Sequence, residues 1–260
     1  MVTPREVGRP PASGVGLGPG GWRLGVPEEF YFLAHERDRP CLHPRVLGAG
    51  LAAAIVADAV LAGWLLVRDG LVTAVDRRPG AVPTTSASAS AGLSASALIP
   101  PIAAGAGSGE TDPDGELIRW VWDWVVSEPH RYPVGTWVRA LSPQATTRVS
   151  ERLVAAGYLT SGSAWRGHRP MSADVNAAAW PAARLSQRLD KQQPVTDADA
   201  VVLAIMEAAG ASRVLLRYAT PVAATHLAAV LADLHHERPE VAALVEQVRV
   251  VIDTGTLTRT

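Results

Sequence analysis

Residues 49 to 67, AGLAAAIVADAVLAGWLLV, form a run of nineteen residues that carries one charge, Asp58. A run of this length either spans a bilayer or forms the centre of a helical core. Much of the run is alanine, which supplies little apolar surface, and a carboxylate at the middle of a spanning helix costs roughly 2.5 to 3.5 kcal/mol. We therefore expect a core helix and not a membrane span.

The residues around the end of this run support the same interpretation. Gly63 is suited to end a helix, and the turn sequence Arg68-Asp69-Gly70 separates two aliphatic stretches, residues 64 to 67 and 71 to 75. The pattern predicts a helix from Pro44 to Ala62 that is followed by a β-hairpin.

Composition narrows the class of protein. The formal net charge is -1, so the total charge does not suggest a polyanion-binding protein. The chain has one cysteine, Cys41, which rules out an intramolecular disulfide. Residues 1 to 25 contain no apolar stretch of the signal-peptide kind. We expect a cytoplasmic protein.

Two segments carry too few large side chains to order themselves. Residues 1 to 25 are rich in Gly and Pro and are expected to be a disordered tail, and residues 78 to 114 are expected to be a low-complexity, flexible insertion. The remainder of residues 26 to 260 is expected to form one mainly α domain, a helical bundle with short β-hairpins at its edge. The expected helices are Pro27 to Leu33, Pro44 to Ala62, Leu117 to Val126, Val134 to Leu141, Pro143 to Ala156, Ser172 to Leu189, Asp197 to Ala209, Pro221 to His236 and Pro239 to about Ile252.

Two stretches of the chain have similar residue patterns: ADAVLAGWLLVRDG, residues 57 to 70, and SERLVAAGYLTSGS, residues 150 to 163. Each predicts a helix, a glycine and a short hairpin, which is half of a winged helix. A nucleic-acid binder is therefore one alternative, although the near-neutral charge counts against nucleic acid as the partner. Its contacts would be Arg139, Arg148 and Arg152 on a helix and Arg166 and Arg169 on the wing.

The sequence offers no pattern that predicts catalysis. Cys41 and His43 stand two residues apart in a Pro-flanked loop and lack an orienting third group, and the run from His235 to Glu237 lacks metal-ligand spacing. Phosphate-cradling glycine loops and serine elbows are also missing from the sequence. We expect no enzyme activity, no cofactor and no metal site.

The turn of the second hairpin combines an aromatic residue with cationic groups. Trp165 stands beside Arg166, His168 and Arg169. An aromatic residue next to cations suits a membrane interface, and the same group suits DNA phosphate. A solvated turn with Trp165 folded back onto the domain explains the pattern equally well.

The order of several motifs resembles the Golgi phosphoprotein 3 family over roughly residues 26 to 252. The motifs are GLAAAIVADAVLAGWLLV, DGELIRWVWDWV, GTWVRALS, RVSERLVAAGYL and HRPMS. The resemblance implies a mostly α-helical single domain without catalytic activity, here a bacterial member. Eukaryotic relatives are peripheral membrane adaptors that bind phosphatidylinositol 4-phosphate in a shallow basic pocket, insert a hydrophobic hairpin into the bilayer and retain glycosyltransferases.

The headgroup contacts of those relatives do not carry over residue by residue. By alignment of the motifs they fall at His43, Ala52, Pro143 and Thr146, and none of the four family residues is kept. We predict instead a weaker anion site formed by nearby basic residues. These residues are His43, Arg45, Arg148 and Arg152.

The predicted function is a non-enzymatic peripheral membrane or adaptor-type binding module whose partner is an anionic phospholipid headgroup or the membrane surface. Trp165 is the predicted interfacial anchor, with Arg166, His168 and Arg169 as phosphate donors. Stable attachment generally needs two signals, and a homo-oligomer would supply the second by avidity. The remaining alternative is a scaffold whose Trp-rich helix, with Trp120, and alanine-rich C-terminal helices hold a protein partner.

Overall fold

The structure is a computed structural model that describes residues 24–75, 115–162, 170–217 and 219–257. Within these ranges 69% of the residues are helical, and the strands form only two-stranded antiparallel sheets. The predicted fold class, mainly α with short hairpins, is confirmed. Apart from Leu24 and Gly25, the predicted tail lies outside the described residues, as does the predicted 78 to 114 insertion.

The elements of the described ranges are numbered here in chain order. The helices are α1 Val26–Leu33, α2 Pro44–Leu61, α3 Glu116–Ser127, α4 Val134–Ala155, α5 Val175–Asp190, α6 Asp197–Ala208, α7 Ser212–Leu216, α8 Pro221–Glu237 and α9 Pro239–Leu257. The strands are β1 His35–Glu36 paired with β2 Arg39–Pro40, β3 Leu65–Arg68 paired with β4 Leu71–Ala74, and β5 Leu159–Thr160 paired with β6 Met171–Ser172.

Helix α2 lies at the centre of the bundle. It packs against α1, α3, α4, α6 and α9, and residues 51 to 57 are all fully buried. A helix surrounded by other helices must be apolar on every face, which explains the continuous hydrophobic run. By length and composition α2 is the one helix of the described ranges that could cross a membrane, but 67% of it is buried inside the protein. The structure thus places it in the core.

Two glycines of α2 allow close approach of its neighbours. A Cβ at Gly48 would lie 2.7 Å from the carbonyl oxygen of Ser142 on α4, and a Cβ at Gly50 would lie 2.6 Å from Cε1 of Phe30 on α1. Real Cβ atoms do not approach other atoms so closely. Glycine therefore sets the spacing of α2 from both helices.

Replacing Gly50 by alanine is expected to lower the free energy of unfolding by about 1–3 kcal/mol, because the added methyl overpacks the core against the Phe30 ring. Urea denaturation of the full chain measures the change. In a Phe30→Leu background the ring is gone, so the same substitution should cost less, and the double-mutant cycle should show this coupling. Equal costs in the two backgrounds would contradict the proposed clash.

Charged side chains are also buried between the helices. Arg152 of α4 donates through Nε to Glu28 of α1, and their side chains are 6% and 4% exposed. Arg184 of α5 donates to both carboxylate oxygens of Glu29, at 2.7 and 2.6 Å, and to Asp199 at 2.5 Å. Burial raises the pKa of Glu29 to about 7, although Arg184 acts in the opposite direction. These ion pairs join α1 to α4 and α5, and α5 to α6.

The predicted repeat of helix, glycine and hairpin is confirmed. Gly63 and Gly157 have φ angles of +71° and +76°, the left-handed region that glycine adopts without strain. After each helix the same pair of hydrogen bonds forms, with Trp64 N donating to Ala59 O in one unit and Tyr158 N donating to Leu153 O in the other. This is the Schellman ending of a helix, followed in each case by a strand.

The structure corrects two expectations about elements and adds elements that were not expected. The predicted break before Pro143 is wrong, because α4 continues from Val134 to Ala155. Pro143 is exposed, whereas Leu141 and Ala145 on either side are fully buried, so tertiary packing holds the helix together where a proline removes one hydrogen bond. Helix α5 begins at Val175, since Ser172 belongs to β6. The pair β1–β2 and helix α7 were not predicted.

Candidate functional site

A cleft with a volume of about 1340 Å³ opens where the N-terminus of α2 meets α4. The end of α1, the β1–β2 hairpin, the residue before β6 and the later part of α9 complete its walls. We call it the α2–α4 cleft. Its lining residues include Tyr31, His35, Asp38, His43, Arg45, Val46, Leu47, Ala49, Arg139, Ser142, Pro143, Thr146, Ser150, Pro170, Val251 and Ile252.

Two arginines give the cleft its charge. Arg45 lies in the first turn of α2 and Arg139 lies on α4, and both are exposed. Neither forms an ion pair with a described residue. One carboxylate, Asp38, lines the cleft, and it accepts hydrogen bonds from the backbone N and Oγ of Ser172 at 2.9 and 2.6 Å. The two guanidinium groups therefore keep donors available for an anion.

The start of α2 adds a second source of positive potential. His43 is the N-cap residue, and its Nδ1 accepts a hydrogen bond from the backbone N–H of Arg45 at 3.3 Å. Pro44 follows at the first helical position, where its fixed φ favours the start of a helix. Because peptide dipoles add along a helix, the N-terminus that faces the cleft carries a partial positive charge.

Hydroxyl groups line the opposite wall. Ser142, Thr146 and Ser150 are spaced four residues apart on α4, which places them in one row along the helix, and Arg139 precedes them on the same wall. Tyr31 lies across the cleft on α1. Burial, and secondarily Asp38, raises the pKa of Tyr31 to about 12, so its hydroxyl stays protonated at neutral pH. Ser142 Oγ donates to Val138 O and Ser150 Oγ donates to Thr147 O, so these two hydroxyls face a ligand as acceptors. The cleft thus presents guanidinium donors and neutral hydroxyls over an aliphatic floor.

The third hairpin meets the rim of the cleft. Pro170, next to β6, lines the cleft, and Ser172 of β6 is bonded to Asp38 of the β1–β2 turn. Pro170 is the first described residue after the middle of the β5–β6 connection, and it lies at the cleft. The predicted membrane-contact residues of this connection lie outside the described residues. They are Trp165, Arg166, His168 and Arg169.

The structure brings together half of the predicted anion site. His43 and Arg45 line the α2–α4 cleft, but Arg148 and Arg152 do not. The guanidinium of Arg148 lies 5.5 Å from the centre of the Trp120 ring, in a cation–π contact. Arg152 is buried in its ion pair with Glu28. The four side chains do not form one site because α4 turns Arg148 and Arg152 away from the cleft.

Arg139 is the basic residue that the predicted anion site lacked. It enters the cleft in place of Arg148 and Arg152 because it shares the helical row of Ser142 and Thr146. The signal was present in the sequence as the spacing of Arg139, Ser142 and Thr146, which are three and then four residues apart. Only the structure shows that this face of α4 borders the cleft. Three of the four positions that the motif alignment gave for headgroup contacts also line the cleft: His43, Pro143 and Thr146. The fourth, Ala52, is fully buried in α2.

The other candidate chemistry can now be placed. Cys41 is half-buried, and burial raises the pKa of its thiol above the ordinary value, while His43 is engaged in capping α2. His235 Nδ1 contacts the carbonyl of Leu231 on its own helix, at 3.4 Å. In the described ranges no group of three or more His, Cys, Asp or Glu side chains is placed to hold a metal ion.

Comparison with known proteins identifies a family whose sequence model matches the chain. The sequence model described as Golgi phosphoprotein 3 (GPP34) matches residues 26–251, which is most of the chain. No curated protein matches the chain.

Proposed function

The chain belongs to the Golgi phosphoprotein 3 family, and on that premise we propose that it is a non-enzymatic, peripheral membrane-binding protein whose α2–α4 cleft takes the anionic headgroup of a phospholipid. One observation carries the proposal. Arg45 and Arg139, from two helices, face one cleft beside the N-terminus of α2, and neither has a carboxylate partner among the described residues.

The chemistry of these groups favours phosphate. A guanidinium presents planar donors that match phosphate oxygens in a bidentate way, and such charge-assisted hydrogen bonds are roughly twice as strong as neutral ones. The partial positive charge at the start of α2 acts in the same direction. Thr146 supplies a neutral hydroxyl for the remaining oxygens of a sugar or inositol ring, and Ser142, whose Oγ donates to Val138 O, would accept a hydrogen bond from a ring hydroxyl.

The floor of the cleft favours a bound small group over a bare ion. It is formed by aliphatic side chains of α2 and α9, among them Val46, Leu47, Val251 and Ile252. Small-molecule sites typically combine an apolar lining with a few polar groups that fix orientation. The headgroup ring would lie on this floor with its phosphate toward Arg45 and Arg139.

The edge of the cleft favours a membrane as the source of the headgroup. Pro170, the first described residue after the β5–β6 connection, lines the cleft. Stable membrane attachment generally needs two signals, and an apolar anchor beside an anion site would supply the second. In this proposal Trp165 is the interfacial anchor, with Arg166, His168 and Arg169 as further phosphate donors, and the protein lies on a cytoplasmic membrane surface.

The nucleic-acid alternative has less support. It requires Arg139, Arg148 and Arg152 to share one face of α4. Arg139 faces the cleft, Arg148 lies over Trp120 and Arg152 is buried. Helix α4 therefore lacks the row of basic side chains that a recognition helix presents to DNA.

Cosedimentation with vesicles tests the proposal. The full chain should bind vesicles of phosphatidylcholine that contain phosphatidylinositol 4-phosphate or phosphatidylserine, and it should bind pure phosphatidylcholine vesicles at least about tenfold more weakly, since the guanidinium contacts require an anion. Raising the salt concentration should weaken the binding, because exposed charges are screened. If the protein ignores every vesicle at low salt, the proposed function is wrong and a protein-binding scaffold becomes the better account.

A further inference from the structure

A second cavity, with a volume of about 720 Å³, lies on the other side of the β1–β2 hairpin from the α2–α4 cleft. The hairpin and α7 form its walls. Four arginines line it, which together we call the arginine groove: Arg37, Arg39, Arg213 and Arg217. The other lining residues are Glu36, Pro40, Cys41, Leu42, Ala211 and Val214.

The groove carries an excess of positive charge. Glu36 is its one carboxylate, and it accepts hydrogen bonds from Arg217 at 3.0 and 3.4 Å. Arg37, Arg39 and Arg213 are exposed, and none of these three side chains forms an ion pair with a described residue. Like charges gathered in one concave surface repel each other and concentrate anions there.

Two elements far apart in the sequence hold these arginines in place. Arg213 lies on α7, and Arg217 is the residue that follows α7 and keeps the helical conformation. The two are four residues apart and therefore point to the same side. Arg37 and Asp38 form the β1–β2 turn with φ angles of +50° and +62°, in the left-handed region that residues other than glycine rarely adopt. The two hydrogen bonds from Ser172 to Asp38 fix this turn. The groove is thus preorganised on its hairpin side.

The groove and the α2–α4 cleft are separate sites with a common wall. Successive side chains of a strand point to opposite faces. Accordingly His35 and Asp38 line the cleft, whereas Glu36 and Arg39 line the groove, and Pro40 lines both. None of the four groove arginines lines the cleft, so the two sites can be altered independently.

We propose that the arginine groove binds a phosphate monoester, the group carried by phosphorylated metabolites and by phosphoinositide headgroups. Such a group carries a charge of about -1.5 to -2 near neutral pH and three acceptor oxygens. Arg37 and Arg39 supply donors from the hairpin and Arg213 supplies them from α7, and Arg217 neutralises Glu36. Pro40, Leu42 and Val214 give the organic part of the ligand an apolar surface. The inference does not rest on headgroup binding in the cleft.

Cys41 provides a reporter inside the groove. It is the chain's one cysteine and is half-buried among the lining residues. Burial and Glu36 raise the pKa of its thiol, and Arg217 and Arg213 lower it. A bound phosphate would cover the sulfur and also neutralise the arginines that favour the thiolate. Both effects slow alkylation, because the thiolate is the reactive species.

The test measures the rate at which iodoacetamide alkylates Cys41 in the full chain, at constant ionic strength. Glucose 6-phosphate is the soluble probe, with glucose as its control. Vesicles that contain phosphatidylinositol 4-phosphate are the lipid probe, with phosphatidylcholine vesicles as their control. We expect a phosphate-bearing probe to slow alkylation at least about threefold, as occupancy of more than two thirds would give. Protection by the soluble probe identifies a metabolite site, and protection by the vesicles alone identifies a lipid site.

Two double variants locate the protection. In Arg39→Gln/Arg213→Gln the ratio of rates with and without the probe should return to about one. In the control Arg68→Gln/Arg131→Gln, whose arginines line neither the arginine groove nor the α2–α4 cleft, the ratio should stay as in the wild type. All four side chains are exposed, so neither variant should disturb the fold, and circular dichroism checks this. The inference is overturned if no phosphate-bearing probe slows alkylation of the wild type, or if protection survives in Arg39→Gln/Arg213→Gln.

Discussion

Replacing Arg152 by methionine is expected to lower the free energy of unfolding by about 3–5 kcal/mol, the typical cost of breaking a buried ion pair by removing one partner. Arg152 and Glu28 are 6% and 4% exposed, so water cannot solvate the carboxylate that remains. A Cβ at Gly25 would lie 2.9 Å from Glu28 Oε2 and also 2.9 Å from Asp58 Oδ2, so a second carboxylate lies close by. Removal of the guanidinium would leave both carboxylates near each other.

Urea denaturation of three variants measures this effect. The matched control is Arg148→Met, on the same helix, which loses an exposed cation–π contact worth about 0.5–1 kcal/mol. The double variant Glu28→Gln/Arg152→Met should be less destabilised than the sum of its single variants, because it leaves one fewer unpaired charge. An Arg152→Met protein as stable as Arg148→Met would show that the buried pair is not formed.

Charge reversal in the α2–α4 cleft is expected to have the largest effect on binding. Each hydrogen bond to a charged group contributes about 1.5–3 kcal/mol, so Arg45→Glu/Arg139→Glu should weaken binding to vesicles containing phosphatidylinositol 4-phosphate by about 100-fold or more. Repulsion between the new carboxylates and the headgroup adds to this loss. Both residues are exposed, so the stability of the fold should change little.

The control for charge reversal is Arg68→Glu/Arg131→Glu. Arg68 and Arg131 are exposed and line neither the α2–α4 cleft nor the arginine groove, and the substitutions change the net charge by the same amount. Vesicle cosedimentation of the two double variants separates a site from a diffuse electrostatic effect. Equal losses would contradict the cleft as the binding site.

Much of the helical frame could be predicted from the sequence, because its signals are local. The run around α2, the prolines that open α8 and α9 and the glycine at each Schellman ending all act within a few residues. Pro143 shows the limit of such signals. Its local effect predicts a helix end, but Leu141 and Ala145 on either side are fully buried in a helix that packs against α2, and this tertiary packing decides the outcome.

The cleft could be predicted only in part. The motif alignment brought His43 and the region of Pro143 and Thr146 into one site, and proximity in the sequence added Arg45. Arg148 and Arg152 were predicted for this site without regard to the helical period. That period places Arg139 on the same face of α4 as Thr146. The burial of Arg152 depends on Glu28, which is 124 residues away in the chain, and no local pattern reports such a contact.

The β1–β2 hairpin was not predicted, for another reason. Its sequence, residues 35 to 40, is HERDRP, which has neither alternating apolar residues nor a glycine in the turn. Arg37 and Asp38 adopt positive φ angles there without the Asn-Gly pair that such turns prefer. Hydrogen bonds from Ser172 hold the turn from outside, so the hairpin, and with it the arginine groove, depends on a contact distant in sequence.

The most direct measurement is a titration of the isotopically labelled full chain with inositol 1,4-bisphosphate, the soluble headgroup of phosphatidylinositol 4-phosphate, followed by backbone amide chemical shifts. We expect saturable shifts at the first turn of α2, at Arg45 and Val46, and along α4 at Arg139 and Thr146, all of them lost in Arg45→Glu/Arg139→Glu. No shifts at these amides, or shifts that persist in the variant, would contradict the α2–α4 cleft as a headgroup site.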